Sequence, residues 1–406
     1  MIIGLDGVPL SIIQRWAQAG QLPTLQRLIG EGAVGELRST VPPTSGPSWS
    51  SFVTGMNPAK TGIYDFLYRK DGTYHFPPVN ASQRGGTTVW RHLSDAGYRV
   101  GILNMPMSYP VEQINGFMVS GWMTPYSATD YVHPMELASE LEREIGDYRI
   151  YPTETFTEGR RDSFLNATYD LLEMRTRTAL YLARTQPSDV FTTVFFDTDR
   201  VLHQLWHYLD PDHAWRTDQE DKEWIVRDYF QKVDESIGRL LEHADEETLI
   251  IILSDHGMGR ANNFIVLNNW LLDSGLLRLK RDPWTRLKEF LFRRGFTLRN
   301  VHQLADRLGL ARQAEYVAGY FVDHLLKIAF LSFLDVDWSA SRAYSFGRHL
   351  GSIYINVEGR EPQGIVEPGA EYEAVRDEIE RMAYDFRDPR TGRKLIGEVL
   401  RREEIY

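Results

Sequence analysis

The sequence of 406 residues contains no cysteine. Disulfide bonds, iron–sulfur clusters and thiolate zinc sites are therefore excluded. Any bound metal ion must be held by aspartate, glutamate and histidine side chains. The search for a functional site accordingly starts from carboxylate and imidazole groups.

An excess of basic residues is also missing. The chain has 56 acidic residues against 45 basic ones, which gives a formal net charge of −11. Such a chain is not expected to bind the backbone of a nucleic-acid polymer. A small anionic substrate is not excluded, because bound metal ions can reverse the charge of a site.

Long hydrophobic runs are absent as well. The apolar run at 328–334 is too short to span a bilayer. Residues 1–5 predict a strand rather than the basic and apolar regions of a secretory signal. We therefore expect a cytoplasmic protein without a membrane partner, and the sequence leaves its oligomeric state open.

Apolar runs rich in β-branched and aromatic residues are present, and they are typical of strands buried on both faces. They predict an α/β fold with a mostly parallel central sheet and helices on both faces. The predicted strands lie at 1–6, 98–106, 189–199 and 248–257. The predicted helices lie at 10–20, 24–32, 87–96, 162–184 and 218–244.

Residues 262–335 have a different pattern, with two helical stretches on either side of the basic segment LKRDPWTRLKEFLFRRGF. We interpret 262–335 as a mainly helical insertion or cap. Residues 1–261 and 336–406 are then predicted to form the α/β core. This division allows one large domain with an insertion.

Aspartates follow three of the predicted strands. Asp6 lies at the end of the first stretch, Asp197 and Asp199 at the end of the stretch 189–199, and Asp255 near the end of the stretch 248–257. Ligands of open α/β sheets bind at the carboxyl ends of the strands. These carboxylates are therefore expected to converge in space.

Histidines accompany two of these aspartates. His256 is adjacent to Asp255, and His203 lies four residues after Asp199, which places both on one face of a helix. A carboxylate and an imidazole together suit Zn²⁺ or Mn²⁺. The alternatives are a polar loop cap at 255–256 and a surface hydrogen bond between Asp199 and His203. Asp197 is a rival ligand, but its spacing to His203 is not helical.

A serine lies in the turn VPPTSGPSWSSFVTGM at 41–56. A helix is predicted from Pro47 to about Thr54, with Ser45 before it. Ser45 is therefore either a helix cap or a nucleophile, and the two roles are compatible. Backbone N–H groups at a helix N-terminus favour a phosphate beside it.

The ordered set of these residues resembles the alkaline phosphatase superfamily. It is most similar to the type I phosphodiesterase/nucleotide pyrophosphatase family. Further motifs with the same resemblance are IGLDG at 3–7, a serine four residues before Trp49, TGMNPAKTGIYDF at 54–66, VLNNWLLDSGLL at 266–277 and GSIYINVEGREPQGIV at 351–366.

The resemblance implies two divalent metal ions, Zn²⁺ or alternatively Mn²⁺, and makes Ser45 the nucleophile. The ligands that it implies for one ion are Asp6, Asp255, His256 and Ser45 Oγ. For the other ion they are Asp199, His203 and a third ligand. Members of the family often take that third ligand from a histidine near the C-terminus. Here it is either His349 or a residue lost by truncation after 406, and we favour truncation. Thr61 stands where many members have histidine.

The predicted function is that of a two-metal phosphodiesterase or nucleotide pyrophosphatase acting on a small phosphorylated substrate. Alternatives are a phosphomonoesterase, a phosphonate hydrolase or a phosphomutase of the same superfamily, or a degenerate binding module without catalysis. A sulfatase is disfavoured because Trp49 replaces the arginine of the C/S-x-P-S-R motif. A phosphomutase is disfavoured because no long insertion follows the serine.

Overall fold

A computed structural model of the chain describes residues 1–213, 222–261, 264–297, 300–301, 326, 329–347 and 351–406. The strands of these residues are β1 Ile2–Leu5, β2 Val100–Met105, β3 Gly116–Ser120, β4 Val132–His133, β5 Val190–Phe195, β6 Ile251–Leu253, β7 Ala343–Tyr344 and β8 Tyr354–Ile355. Their α-helices are α1 Leu10–Gln18, α2 Pro23–Glu31, α3 Ser45–Thr54, α4 Pro58–Thr61, α5 Val89–Asp95, α6 Glu136–Ile145, α7 Arg161–Thr185, α8 Asp197–Leu209, α9 Glu223–Leu241, α10 Leu267–Asp273, α11 Pro283–Arg293, α12 Ala370–Tyr384 and α13 Arg402–Ile405.

The central sheet has six strands in the order β4-β3-β2-β5-β1-β6. All its neighbouring strands pair in parallel except β3 and β4, which pair antiparallel at the edge. The predicted mostly parallel α/β sheet is therefore confirmed. Each of the four stretches predicted as strands contains one strand of this sheet, namely β1, β2, β5 or β6.

Alternate residues of each strand enter two different cores, so the sheet is covered on both faces. In β3, Phe117 and Val119 belong to one core, which includes residues of α1, α7 and α9. Met118 belongs to the other, together with Trp49 of α3 and Trp90 of α5. Side chains alternate between the faces of a strand, so this division places helices on both sides.

The predicted helices are confirmed in place, with small differences at their ends. Helix α9 begins at Glu223, whereas residues 218–221 of the predicted helix lie outside the described residues. Strands β3 and β4 and helix α6 were not predicted from the sequence. Helix α3 begins at Ser45 rather than at Pro47, so that predicted start is wrong.

The chain divides into two compact units. Unit 1 comprises Met1–Tyr68, Pro78–Phe264 and Arg402–Tyr406, and unit 2 comprises Arg69–Pro77 and Ile265–Arg401. The division after Phe264 lies close to the predicted boundary at 262, whereas residues 336–401 belong to unit 2. A helical cap over 262–335 stays a prediction, because much of that segment lies outside the described residues.

Unit 2 has its own aromatic core. Tyr74 stacks on Trp338 with ring centroids 3.7 Å apart and an interplanar angle of 3°. The antiparallel pair β7–β8 supplies Tyr344 and Ile355, and helix α12 supplies Ile379. These contacts hold unit 2 together without residues of the central sheet.

Across the described residues, none of the helices combines the length and the apolar character that crossing a membrane requires.

Candidate active site

The strand order brings the predicted carboxylates together. β1 lies between β5 and β6, with Leu5 paired to Phe195 and Gly4 paired to Leu253. The residues after these three strands therefore meet at one edge of the sheet. Asp6 follows β1, Asp199 lies in the first turn of α8 after β5, and Asp255 follows β6. All three are buried.

Ser45 reaches this edge from helix α3. It is the first residue of the helix, and Thr44 occupies the N-cap position without a side-chain capping bond. The alternative that Ser45 is the helix cap is therefore wrong. Its buried hydroxyl instead donates to Asp6 Oδ1 at 3.1 Å and lies 3.1 Å from His256 Nε2. The turn at 41–47 thus presents the hydroxyl to the carboxylates.

Trp49 fixes the other oxygen of Asp6. Its indole Nε1–H donates to Asp6 Oδ2 at 2.6 Å, and the ring is completely buried. The ring lies directly on β1, where a Cβ on Gly4 would come within 2.6 Å of Trp49 Cη2. Glycine is therefore required at position 4 for this approach. In the sequence, Trp49 had served as part of the family motif and as an argument against a sulfatase, without a contact to Asp6.

Gly7 makes room for two further carboxylates. Its φ of 70° lies in the left-handed region that favours glycine. A Cβ at this position would lie 2.5 Å from Asp199 Oδ1. The backbone N–H of Gly7 donates to Asp255 Oδ1 at 3.1 Å. The last residue of the IGLDG motif thus sets the approach of Asp199 and orients Asp255.

His256 turns one ring nitrogen toward all three carboxylates. Its Nδ1 lies 2.8 Å from the carbonyl oxygen of Gly257, an acceptor that requires the proton to be on Nδ1. Its Nε2 faces Asp6 Oδ1 at 3.6 Å, Asp199 Oδ1 at 3.9 Å and Asp255 Oδ2 at 3.6 Å. An imidazole nitrogen among carboxylate oxygens is a donor set that suits a divalent cation.

The carboxylates themselves are short of positive partners. Burial raises the pKa of Asp6 well above its ordinary range, and the charges of Asp255 and Asp199 raise it further. Burial also raises the pKa of Asp199, and it raises the pKa of Asp255 to about 8. Asp199 Oδ1 and Asp255 Oδ2 are buried without a hydrogen-bond partner. Buried oxygens of this kind need a compensating ligand.

The site meets the requirements of a metal centre. Ligand atoms of Asp6, Asp199 and His256 all lie within 4.8 Å of one another. Carboxylate oxygen and imidazole nitrogen are donors that Zn²⁺ and Mn²⁺ accept. The residues present therefore fit a divalent cation.

His203 lies at the rim of this centre. It is four residues after Asp199 on α8, its Nε2 is 3.4 Å from Asp199 Oδ1, and its side chain is 55% exposed. Asp197, the rival ligand, instead forms a buried ion pair with Arg175 of α7. Arg175 was missed in the sequence, although an arginine among the apolar residues of a long helix signals a buried partner. His349 lies outside the described residues.

Comparison with known proteins assigns the chain to a family. A family model described as type I phosphodiesterase/nucleotide pyrophosphatase matches residues 1–405. The chain belongs to this family. The resemblance predicted from the sequence motifs is therefore confirmed. No curated protein matches the chain.

Two solved structures that are similar to this chain are those of phosphonoacetate hydrolase from Sinorhizobium meliloti 1021, in complex with phosphonoacetate and with phosphonoformate. Each is 17% identical, covers 70% of this chain and 65% of its own, and has a TM-score of 0.45. A Bacteroides fragilis protein assigned as a sulfatase is 16% identical, with coverages of 64% and 62% and a TM-score of 0.28. Likenesses this distant say nothing about the substrate.

Proposed function

We propose that this family member is a metal-dependent hydrolase of phosphate esters that cleaves phosphodiesters with Ser45 as the nucleophile. The observation that carries the proposal is the position of Ser45 Oγ. It lies 3.1 Å from both Asp6 Oδ1 and His256 Nε2, at a helix start and beside carboxylate oxygens without partners. A serine in such a setting has both an acceptor for its proton and a place for an anion.

The proposed metal ligands are the six side chains that the sequence singled out. Asp6, Asp255, His256 and Ser45 Oγ are assigned to one ion, and Asp199 and His203 to the other. The close group of Asp6, Asp199 and His256 supports a shared centre for both sets. When bound, Zn²⁺ or Mn²⁺ supplies positive charge that polarises phosphoryl oxygens and lowers the pKa of an oxygen ligand.

Ser45 would form a bond from Oγ to phosphorus while the bond to the leaving alkoxide breaks. The proton of Oγ must leave as this bond forms, and Oγ already donates a hydrogen bond to Asp6 Oδ1 at 3.1 Å. Water then cleaves the Ser45–phosphorus bond, which returns the serine and releases the second product. The start of α3 supports the phosphoryl oxygens, because the first turn of a helix leaves N–H groups without intrahelical partners.

The test compares hydrolysis of p-nitrophenyl phosphate, bis-p-nitrophenyl phosphate and a nucleotide-type phosphodiester, with and without Zn²⁺ or Mn²⁺. We expect metal-dependent turnover with preference for the two diesters. Preference for the monoester would indicate a phosphomonoesterase instead of a phosphodiesterase. Inertness toward all three, with metal bound, would leave a phosphonate hydrolase, a phosphomutase or a binding module.

Trp49 is expected to control metal affinity through Asp6. Trp49→Phe keeps an aromatic ring in the core but removes the N–H that holds Asp6 Oδ2. Loss of a hydrogen bond to a ligating carboxylate typically weakens metal binding by about 10- to 100-fold. Isothermal titration of the metal-free variant with Zn²⁺ measures the effect.

Trp90→Phe is the matched control. Trp90 is also buried in the core around Trp49. Its Nε1 donates to Glu112 at 3.3 Å rather than to a carboxylate of the candidate site. Its replacement is expected to leave Zn²⁺ affinity unchanged. Equal affinities of the two variants would show that the bond to Asp6 has no role in metal binding.

A further inference from the structure

Helix α11 exposes three of its large apolar side chains. Trp284, Leu287 and Phe290 lie on one side of it and are 53%, 44% and 50% exposed. Spacings of three residues place them along one strip of the helix surface. We call these three residues the α11 face. Helices of globular proteins normally bury such a strip.

The opposite side of α11 is polar and buried. Thr285 Oγ1 donates to Asp335 Oδ1 at 3.3 Å, and the buried Lys288 forms an ion pair with the same carboxylate. Lys288 Nζ also donates to the carbonyl oxygen of Phe330 at 3.4 Å. The helix is therefore held by polar contacts. The α11 face is left about half exposed.

Basic residues flank the α11 face in a chain whose net charge is −11. The exposed ones are Lys280, Arg281, Arg286, Arg293 and Arg294. The guanidinium of Arg294 lies 3.5 Å from the centre of the Phe290 ring. Arg293 pairs with Glu289 and Asp273, so the local excess is smaller than the count of basic residues. An apolar strip with basic neighbours suits a surface that is both apolar and anionic.

We propose that the α11 face docks on an anionic lipid surface, with the helix lying in the plane of the interface. The eleven residues of α11 extend roughly 16 Å, which is too short to cross a bilayer and sufficient to lie on one. Trp284 and Phe290 would enter the boundary between headgroups and acyl chains. The flanking basic groups would contact lipid phosphates.

Charge favours lipid over a second copy of this chain. A two-fold interface through the α11 face would bring the same patch of each copy together. Such an interface would bring the basic residues around the two faces close to one another, which is unfavourable. An anionic headgroup layer pairs with these charges. Docking on lipid would replace the expectation, drawn from the sequence, of a protein without a membrane partner, and it is independent of the proposed hydrolase activity.

Co-flotation of the full chain with vesicles tests the proposal. We expect binding to phosphatidylcholine vesicles containing about 30% phosphatidylserine, little binding to pure phosphatidylcholine, and release at high salt. The variant Trp284→Ser/Leu287→Ser/Phe290→Ser is expected to bind the anionic vesicles at least tenfold more weakly. Lack of binding by the unchanged chain at low salt overturns the proposal.

The control variant removes three exposed apolar residues of unit 1, Tyr126→Ser/Trp224→Ser/Leu249→Ser, which are as exposed as the α11 face. It is expected to bind like the unchanged chain, and equal weakening in both variants overturns the proposal. Thermal unfolding and sedimentation test the two other possible occupants of the α11 face, which are another part of this chain and a second copy. A fall in Tm confined to the α11 variant would mean that the chain itself covers the face. A dimer that the same variant dissociates would mean a second copy.

Discussion

Replacement of Ser45 by alanine is expected to lower kcat/KM for a phosphodiester by at least about 10³-fold. The variant loses the hydroxyl that lies against Asp6 Oδ1 and His256 Nε2. Helix α3 should persist, because Ser45 provides no capping bond and alanine is a strong helix former. Steady-state kinetics at saturating Zn²⁺ or Mn²⁺ measure the loss, and titration of bound metal shows whether the centre remains.

Ser48→Ala is the matched control for this experiment. Ser48 is buried on the same helix, about one turn further on, and its Oγ lies 2.9 Å from Thr40 Oγ1 and 3.2 Å from Ser39 Oγ. Both of these hydrogen bonds are to hydroxyl groups rather than to the carboxylates, so its loss should cost stability rather than activity. Full activity of Ser45→Ala with unchanged metal content would remove Ser45 from the mechanism.

The convergence of the site was predictable from the sequence because it follows from strand order. The stretches 1–6, 189–199 and 248–257 each contain an apolar run that is followed by aspartate, and such runs indicate buried strands. Parallel strands end at the same edge, so Asp6 and Asp255 had to be near one another once β1 and β6 paired. The three aspartates at the ends of these stretches therefore predicted the location of the site better than any single motif did.

Other features could not be predicted because they depend on contacts between distant residues. Strand β4 has two residues and pairs only through Met118 and Val119 of β3, so its pattern is too short to be distinctive. The role of Trp49 requires the 2.6 Å contact with Asp6 across 43 positions of sequence. The pairing of Arg175 with Asp197 similarly depends on how α7 packs beside β5.

The start of helix α3 was predicted incorrectly, although the helix itself is present. Proline at a helix start led to a predicted first residue of Pro47, but the helix begins at Ser45. The backbone of Ser45 is thus already helical, and its side chain is free to donate to Asp6. The assignment as a helix cap is wrong, whereas the assignment as a candidate nucleophile stays a prediction.

The stabilisation that added metal gives is expected to increase from pH 5 to pH 8. Without metal, the folded chain holds a proton on Asp255, whose pKa is about 8, while the unfolded chain releases it near its ordinary pKa of about 4. The unfolded state therefore binds fewer protons across this interval, and the free energy of unfolding of the metal-free chain falls as pH rises. Asp6 acts in the same direction, because its pKa is also raised.

Bound metal removes this penalty, because it stabilises the ionised carboxylates that the empty centre disfavours. The Tm of chelator-treated protein is therefore expected to lie several degrees below that of Zn²⁺-loaded protein at pH 8, with a smaller difference at pH 5. Comparing the two forms at each pH cancels the titration of groups elsewhere in the chain. Asp255→Asn should make the metal-free Tm less dependent on pH, since it removes one of the buried charges. A metal-induced shift that is the same at both pH values would contradict the buried carboxylates as its source.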